Sequence, residues 1–487
     1  MNIFIFFILG FLFSLLFPPY FFAPLGFLIF PFVCIYIEKN KYNLKKITFF
    51  KYSFSFSFSF LLSFLFWIQN PFYVFDETKN IFFLSFLLII LLALIFSLIF
   101  SLIVCYNNFI PTLFLVPLSF VIFEFVVSII FTGFPWLTFS LILSNADFFS
   151  FIIRNFGTLI SSFITIQLFC IPFIFLTKKT DIAKISFQTV FVILPLVIAI
   201  SINFVSSDNT KDINKKINIE IFQLNHKITI DKKDHEIRLK EIIKHITNSN
   251  AELLIFGENN FPYIINGKEM NVVQSFLKKN QKLIIGGTRV QKEHYYNTLI
   301  HVNNENIVYF DKKILVPFGE YLPLRKFLVF LEPISGQYDF SRGDKKRLVK
   351  IDDKISYIPI ICYEILFYWK LINKMNVDSD FIVNITNDIW FGNFLGPYQH
   401  FYLTKLRAAE FKKPIIRVSN NGISGIIDEN GKVLIKTELN KDQIIKYNIK
   451  LKKNQNFYKT HFYLNLYFFI ICILLVVLNI KIRNESS

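Results

Sequence analysis

Leu253-Leu254-Ile255-Phe256-Gly257-Glu258 is a short apolar run that stops on a glycine and a carboxylate. Four consecutive apolar residues between polar neighbours suit a strand buried on both faces, as in parallel sheets. Upstream, Ile217, Ile219 and Ile221 alternate with period two, and His235 to Asn250 carries Ile237, Leu239, Ile242, Ile243 and Ile246 at helical spacing. Strand, helix, strand in that order opens an α/β or α+β domain. Downstream, a polar helical stretch is expected to reach Gln281, followed by a strand from Lys282 to Gly287. Thr298 to Val302 and Ile307 to Phe310 form strands about an Asn-rich turn, and Ile355 to Ile361, Phe381 to Ile385 and Pro414 to Val418 read as three more, with a hairpin around Asp428 to Gly431. Of the chain's 16 glycines, 12 fall between Gly257 and Gly431, where backbone must turn around a site.

The rest of the chain obeys a different solvent. Of its 487 residues 53% are hydrophobic, 64 of them phenylalanine, and the mean hydropathy is +0.47, so much of it belongs in lipid. A bilayer core of about 30 Å needs about 20 apolar residues as helix. Eight runs are candidates: Ile3 to Phe17, Tyr20 to Tyr36, Tyr52 to Ile68, Ile81 to Cys105, Phe109 to Phe131, Phe156 to Leu176, Ile185 to Val205 and Phe462 to Ile480. The first two are short and joined by Pro18 and Pro19, so a helical hairpin or re-entrant pair is the alternative to two full spans. No basic residue precedes the first run and no small-x-small site follows it, which argues against a cleaved leader. Lys39, Lys41, Lys45, Lys46 and Lys51, then Lys178, Lys179 and Lys184, then Lys481 and Arg483 mark the expected cytoplasmic segments. The loops Asn70 to Asn80 and Thr132 to Ile153 are poor in lysine and arginine, so they are expected outside together with the segment from Ser206 to Thr460. The expected organisation is a helix bundle over 1–205, an extracytoplasmic domain over 206–460, and a last span with a short tail over 461–487.

Cys34, Cys105, Cys170 and Cys472 fall in the proposed spans, which leaves Cys362 alone in the polar segment. A lone thiol in an oxidising compartment is either well buried or kept for its reactivity. Three segments put polar groups at the ends of apolar strands: Phe256-Gly257-Glu258, Asp311-Lys312-Lys313 and Ile361-Cys362-Tyr363-Glu364. Strand ends are where sheets present catalytic groups. A glutamate, a lysine and a cysteine suit acyl transfer, with the carboxylate as base, the thiol as nucleophile and the ammonium against the oxyanion. A nearby lysine is also expected to depress the thiol pKa. Each residue has a plainer reading as well: Glu258 as a helix cap, Lys312 and Lys313 as a pair of which at least one is solvated, Glu364 as the brace of a turn. Spacing alone does not choose between them.

Longer motifs surround these positions. They include Phe22-Ala23-Pro24-Leu25-Gly26, Gly133-Phe134-Pro135-Trp136-Leu137, Leu315 to Pro323 with Val316-Pro317-Phe318-Gly319-Glu320-Tyr321 at its centre, and Asn384-Ile385-Thr386-Asn387-Asp388. Trp390-Phe391-Gly392, Gly396-Pro397, Gln399-His400, Arg407-Ala408 and Ser419-Asn420-Asn421-Gly422 follow. With these the chain resembles the apolipoprotein N-acyltransferases, membrane enzymes that join a helix bundle to a nitrilase-superfamily domain. The resemblance implies a four-layer αββα sandwich and a triad of Glu258 as general base, Lys312 as oxyanion stabiliser and Cys362 as nucleophile. It implies supporting roles for Glu320, Tyr363 and Glu364, and places Trp136 and Trp390 at acyl-chain or loop contacts; plain interfacial anchoring is the other reading of Trp136. The implied reaction carries an acyl group from a phospholipid to Cys362 as a thioester, then to the N-terminal amine of a diacylglyceryl apolipoprotein. The implied setting is the periplasmic side of a bacterial inner membrane, with the chain acting as a monomer. Two departures stand out. A Lys-Trp pair usual after the first soluble strand is absent, Gln223-Leu224-Asn225 being followed by Lys232-Lys233-Asp234, and the segment before the base reads Phe256-Gly257 where tryptophan is common.

A membrane-tethered nitrilase-like amidase would share the triad, but the bundle motifs argue against it. A transporter would need intramembrane charge, and the proposed spans carry little besides Glu124. The formal net charge of +17 comes from scattered lysines without stacking aromatics, which speaks against nucleic acid and for lipid headgroups or a solvated face. The seven histidines show no metal-ligand spacing, and neither metal nor cofactor is expected.

Overall fold

A computed structural model describes residues 2–40, 45–105, 112–130, 132–176, 215–227, 232–371 and 378–451. They fall into two compact units: one holds the described residues to Gln69 and those from Phe83 to Leu176, the other holds Asn70–Phe82 and the described residues from Lys215 onward.

The first unit is helical. Its main helices are α1 (Asn2–Ser14), α2 (Gly26–Asn40), α3 (Lys46–Phe64), α4 (Ser85–Cys105), α5 (Thr112–Ile129) and α6 (Asp147–Cys170). Five helical segments are long and apolar enough to cross a membrane: Ala23–Asn40, Lys46–Phe64, Asp76–Val104, Thr112–Ile129 and Asp147–Leu176. They correspond to the second through sixth apolar runs. The first run yields only the 13 residues of α1, about 20 Å of helix and too short to span alone. The runs Ile185 to Val205 and Phe462 to Ile480 lie outside the described residues. Two expected loops are partly helical: that from Thr132 to Ile153 becomes helical at Asp147, and that from Asn70 to Asn80 is helical over Asn70–Tyr73 and again from Asp76. Helix α6 changes direction at Gly157, whose φ of 74° and ψ of 178° suit a residue without a Cβ.

Lipid offers apolar side chains no hydrophobic reward for associating, so helices gain contact by close approach and hydrogen bonding. The repeat Ser53-Phe54-Ser55-Phe56-Ser57-Phe58-Ser59 in α3 does both. Ser53 and Ser57 meet Ser101 and Ser97 of α4 at 3.4 and 3.3 Å. Ser55 and Ser59 donate to the α1 carbonyls of Ile3 and Phe7 at 2.8 and 2.5 Å. At Gly10 a Cβ would lie 2.0 Å from the Phe56 carbonyl oxygen, so α1 and α3 touch backbone to backbone. Rings fill the remaining space: Phe13 lies 4.7 Å from Phe60 between centroids, and Phe120 lies 5.1 Å from Phe139.

Two six-stranded sheets organise the second unit. In chain order the strands are β1 (Lys215–Gln223), β2 (Leu253–Phe256), β3 (Lys282–Gln291), β4 (His294–Val302), β5 (Ile307–Asp311), β6 (Val349–Lys350), β7 (Ser356–Ile361), β8 (Phe381–Thr386), β9 (Ile415–Ser419), β10 (Gly425–Ile427), β11 (Val433–Lys436) and β12 (Gln443–Leu451). The sheets run β12-β1-β2-β3-β4-β5 and β11-β10-β9-β8-β7-β6. Every residue of β2 is buried, and β2 lies parallel between β1 and β3, with Ile219 beside Leu253 and Ile255 beside Ile284. The sheets meet face to face, the Tyr357 hydroxyl of β7 lying 3.2 Å from His301 Nδ1 of β4. Helix α7 (Lys232–Asn248) covers the first sheet by burying Ile242 and Ile246 against Phe222, Leu254 and Phe256. Helix α8 (Leu395–Phe411) packs on β9 of the second. The layers are α, β, β, α, as expected for a nitrilase-like sandwich.

Three details differ from the periodicity. The polar stretch up to Gln281 is helical only over Asn271–Gln274, because its backbone instead pairs with β3: Phe261 N–H donates to Gly286, and Ile265 N–H to Thr288, each at 2.9 Å. Strand β4 begins four residues before Thr298. Helix α8 and strand β12 were not anticipated at all.

Replacing Gly10 with valine is expected to lower the thermal midpoint of the detergent-purified protein, by about 1–3 kcal/mol of overpacking. An unchanged melt would contradict the α1–α3 contact.

Candidate active site

Strand β7 ends at Ile361, and the next residue, Cys362, has φ of 49°, a left-handed conformation that costs a non-glycine residue free energy and needs support from its surroundings. Glu364 supplies that support. Its fully buried carboxylate accepts from the Ile361 N–H at 2.9 Å, and from the Lys313 and Ile314 N–H groups at 2.7 and 3.1 Å. Arg347 completes the set, donating to Glu364 Oε2 at 2.6 Å while its second terminal nitrogen contacts Oε1. One carboxylate thus ties the turn of Cys362 to the segment that carries Lys312. Burial alone would raise the Glu364 pKa, but Arg347 and the Ile361 N–H bring it below the ordinary value, so it stays charged.

The other two residues of the expected triad leave the first sheet. Glu258 follows β2, and Lys312 follows β5. Lys312 is 1% exposed, with its Nζ 3.7 Å from Glu258 Oε1 and 2.9 Å from Glu320 Oε1. Asn297 of β4 joins the two acids, its Nδ2 lying 2.7 Å from Glu258 Oε1 and 2.7 Å from Glu320 Oε1. The second Glu258 oxygen accepts from the Asn387 N–H at 2.7 Å, and Glu320 Oε2 accepts from the Val316 N–H at 2.8 Å. Gly286 allows β3 to pass beneath: a Cβ there would sit 2.5 Å from the Glu258 Cα.

These groups interact with one another through an interior that screens poorly. Burial opposes the Lys312 charge, yet Glu320, Glu258 and Cys362 together raise its pKa. Burial raises the Glu258 pKa as well, with Lys312 pulling against it. Cys362 corrects the sequence-based expectation. Its pKa goes up, first because burial disfavours the thiolate and then because Glu258 repels it, and the pull of Lys312 downward is the smaller effect. Burial therefore favours the thiol form of Cys362.

Of the remaining sequence-identified residues, Tyr363 is buried, its ring 5.1 Å from that of Phe367. Trp390 is partly buried in a turn of the second unit, with its ring 6.3 Å from that of Phe75. Trp136 belongs to the first unit and is 0% exposed, packed 4.5 Å from Trp67. Glu124, given no role from sequence, accepts from the Phe139 N–H at 2.9 Å and so holds the stretch after Trp136. Three contributors escaped the sequence reading: Asn297, Arg347 and Thr386, whose hydroxyl donates to Asp388 Oδ1 at 2.9 Å. The Asn384-to-Asp388 motif pointed to Thr386; no comparable signal marked Asn297 or Arg347.

Replacing Arg347 with alanine leaves the Glu364 carboxylate buried without its cation, and is expected to cost about 3–5 kcal/mol in denaturant unfolding. Adding Glu364→Gln should recover part of the loss. Because the folded-state pKa of Glu364 is depressed, its contribution is present above the ordinary glutamate pKa and is lost as pH falls through the folded value. A pH series of unfolding midpoints in which Arg347→Ala behaves as the parent would contradict this pairing.

Comparison with known proteins brings both units together. Residues 9–171 match the family model for the apolipoprotein N-acyltransferase N-terminal domain, and residues 219–459 match that for carbon-nitrogen hydrolases. Apolipoprotein N-acyltransferase of Rickettsia prowazekii (strain Madrid E) is 31% identical over 450 residues, covering 89% of each chain, and that of Rickettsia typhi (strain ATCC VR-144 / Wilmington) is 31% identical over 451 residues, also covering 89% of each. A CN-hydrolase superfamily protein from Xanthomonas campestris aligns in structure with a TM-score of 0.38 and 15% identity, over 48% of this chain and 91% of that one. Matched along both units by family models, and by relatives over nearly nine-tenths of its length, the chain belongs to the apolipoprotein N-acyltransferase family.

Proposed function

We propose that the protein N-acylates lipoproteins, with Cys362 carrying the acyl group as a thioester between a membrane phospholipid and the amine of a diacylglyceryl-cysteine. The observation that carries this reading is a buried site in which Glu258 and Lys312 lie 3.7 Å apart and Glu364 ties the turn of Cys362 to the segment that carries Lys312. In the first half-reaction the sulfur attacks the donor ester carbonyl as the thiol proton passes to Glu258, and the oxyanion forms beside Lys312. The ester C–O bond then breaks, and the lysophospholipid alcohol leaves with the proton from Glu258. In the second, the lipoprotein amine attacks the thioester and gives a proton to Glu258. The C–S bond breaks, the amide departs and the thiol is restored.

Lys312 cannot swing freely, because Glu320 and Glu258 hold its ammonium. A preorganised cation of this kind favours the transition state without reorganising during reaction. Glu320 and Asn297 act by keeping Lys312 and Glu258 in place, and Glu364 by fixing the nucleophile's turn. Trp136 and Trp390 are assigned to acyl-chain or loop contacts. The lysine pattern, with its basic loops on one side, supports a catalytic domain on the periplasmic side of a bacterial inner membrane.

The test is turnover of a diacylglyceryl peptide in phospholipid–detergent micelles. Cys362→Ser is expected to abolish it while the protein still inserts in membranes. Lys312→Arg should reduce it by about a hundredfold or more, since a planar guanidinium does not fit a pocket shaped for an ammonium. Normal turnover by Cys362→Ser would remove the thioester route.

A pH dependence follows from Glu258, which must be ionised to accept a proton. Its raised pKa means that turnover falls as pH drops through a value above that of an ordinary glutamate. A rate that stays constant with falling pH until the ordinary glutamate range would contradict Glu258 as the base.

A further inference from the structure

The motif Ser419-Asn420-Asn421-Gly422, to which the mechanism gives no task, begins at the end of β9 and lies against the base. Asn420 is 2% exposed and Asn260 1%. The Gly257 N–H donates to Asn260 Oδ1 at 2.7 Å, closing a turn around Glu258 in which Asn259 has φ of 54°, a left-handed conformation that asparagine tolerates. With its oxygen so used, Asn260 presents its Nδ2 to Asn420 Oδ1 at 3.0 Å. The His226 N–H donates to the same oxygen at 3.0 Å, while Asn420 Nδ2 donates to the His226 carbonyl at 2.8 Å and to Asn387 Oδ1 at 3.3 Å. A side-chain amide offers two protons and two lone pairs, and all four of Asn420 are engaged. Its main chain is held as well: the N–H donates to the Thr386 carbonyl at 2.9 Å, and the carbonyl accepts from the Asn225 N–H at 2.8 Å. Gly257 permits this approach, since a Cβ there would lie 2.8 Å from the Asn420 nitrogen.

What Asn420 grips is one peptide group, that between Thr386 and Asn387, and this group bonds Glu258 at both ends. Its N–H donates to Glu258 Oε2 at 2.7 Å, and its carbonyl accepts from the Glu258 N–H at 3.3 Å as well as from Asn420. A carbonyl that accepts hydrogen bonds polarises its amide and strengthens the N–H as a donor. Hydrogen bonds to a carboxylate favour its charged form, and burial works against that form in Glu258. Asn420 therefore acts on the base at one remove, through the carbonyl of Thr386 and the side chain of Asn387.

We propose that Asn420 is a positioning residue: by holding the Thr386–Asn387 peptide against Glu258, it keeps that carboxylate ionised. Its bearing on the reaction rests on Glu258 being the base. The charged and titratable groups facing Glu258 are Lys312 from the end of β5, 3.7 Å away, Glu320, joined to it through Asn297, and Cys362 from the end of β7, whose ionisation Glu258 opposes. The ends of β8 and β9 meet it through uncharged amides. Behind them Asp388 pairs with Arg417 at 2.7 Å, and the His226 ring lies 2.8 Å from Glu241.

The test reads the ionisation of Glu258 directly in the full-length, detergent-purified protein, as the pH midpoint of the infrared band of its protonated carboxyl, identified by subtracting the spectra of matching Glu258→Gln variants. Asn420→Ala is expected to raise the midpoint by about one pH unit, a tenfold weaker acid. Asn387→Ala removes the side-chain oxygen that Asn420 holds and should raise it too, so the test stands where the Asn420 variant does not fold. In the double variant the shift should fall short of the sum of the two, because both act through one peptide. A midpoint that stays at the parent value while thermal stability drops would overturn the proposal, as would two shifts that add in full. Turnover separates this proposal from the reading it rests on: the acid limb of the rate should move with the infrared midpoint, and a limb that ignores a shifted midpoint removes Glu258 as the base while the hold of Asn420 upon it stands.

Discussion

The site depends on keeping charges that have been taken out of water. Glu258, Lys312, Glu320 and Glu364 are all buried or nearly so, and an unpaired buried ion costs several kcal/mol. Each is therefore matched: Lys312 lies between two acids bridged by Asn297, and Glu364 is met by Arg347 and three backbone N–H groups. The pairings run between sheets and loops far apart in sequence, so charge neutralisation and correct assembly of the second unit are one requirement. The same environment that makes Lys312 a strong electrostatic partner makes the Cys362 thiol reluctant to ionise. Under the proposed mechanism the sulfur therefore needs a base beside it.

Much of this was legible in the residues. The apolar run Leu253 to Phe256 located a buried parallel strand, and Glu258 just beyond it lies 3.7 Å from Lys312, the residue after β5; Cys362 follows β7 in the same way. Strand ends are informative because periodicity marks where a strand stops, and chemistry is placed beyond it. The thiol's behaviour was not legible. A lysine nearby in the fold suggests a lowered pKa, but burial and a closer accounting of Glu258 reverse the sign, and neither is visible in a linear chain.

Helix α8 shows why a second class of feature was missed. It buries Gln399, His400, Thr404, Lys405, Arg407 and Glu410 together with Phe401, Leu403 and Leu406, so no polar face exists to produce an amphipathic period. Strand β12 is a different case, since Ile445, Ile449 and Leu451 turn inward at alternate positions and the alternation was available to be read. In the first unit, the alternating serines and phenylalanines of α3 resemble a strand pattern, yet form a helix whose two serine rows serve α4 and α1 separately. Length and apolarity decided that case correctly where period alone would have failed.

The central claim is that the sulfur of Cys362 holds the acyl group covalently. Its most direct test is intact-protein mass spectrometry after incubation with a phospholipid of one defined sn-1 chain and no lipoprotein acceptor. The account predicts a mass increase equal to that acyl group, located on Cys362 by peptide mapping, removed by neutral hydroxylamine and discharged on addition of a diacylglyceryl peptide. An unmodified Cys362 in a preparation that nonetheless acylates the peptide would contradict it.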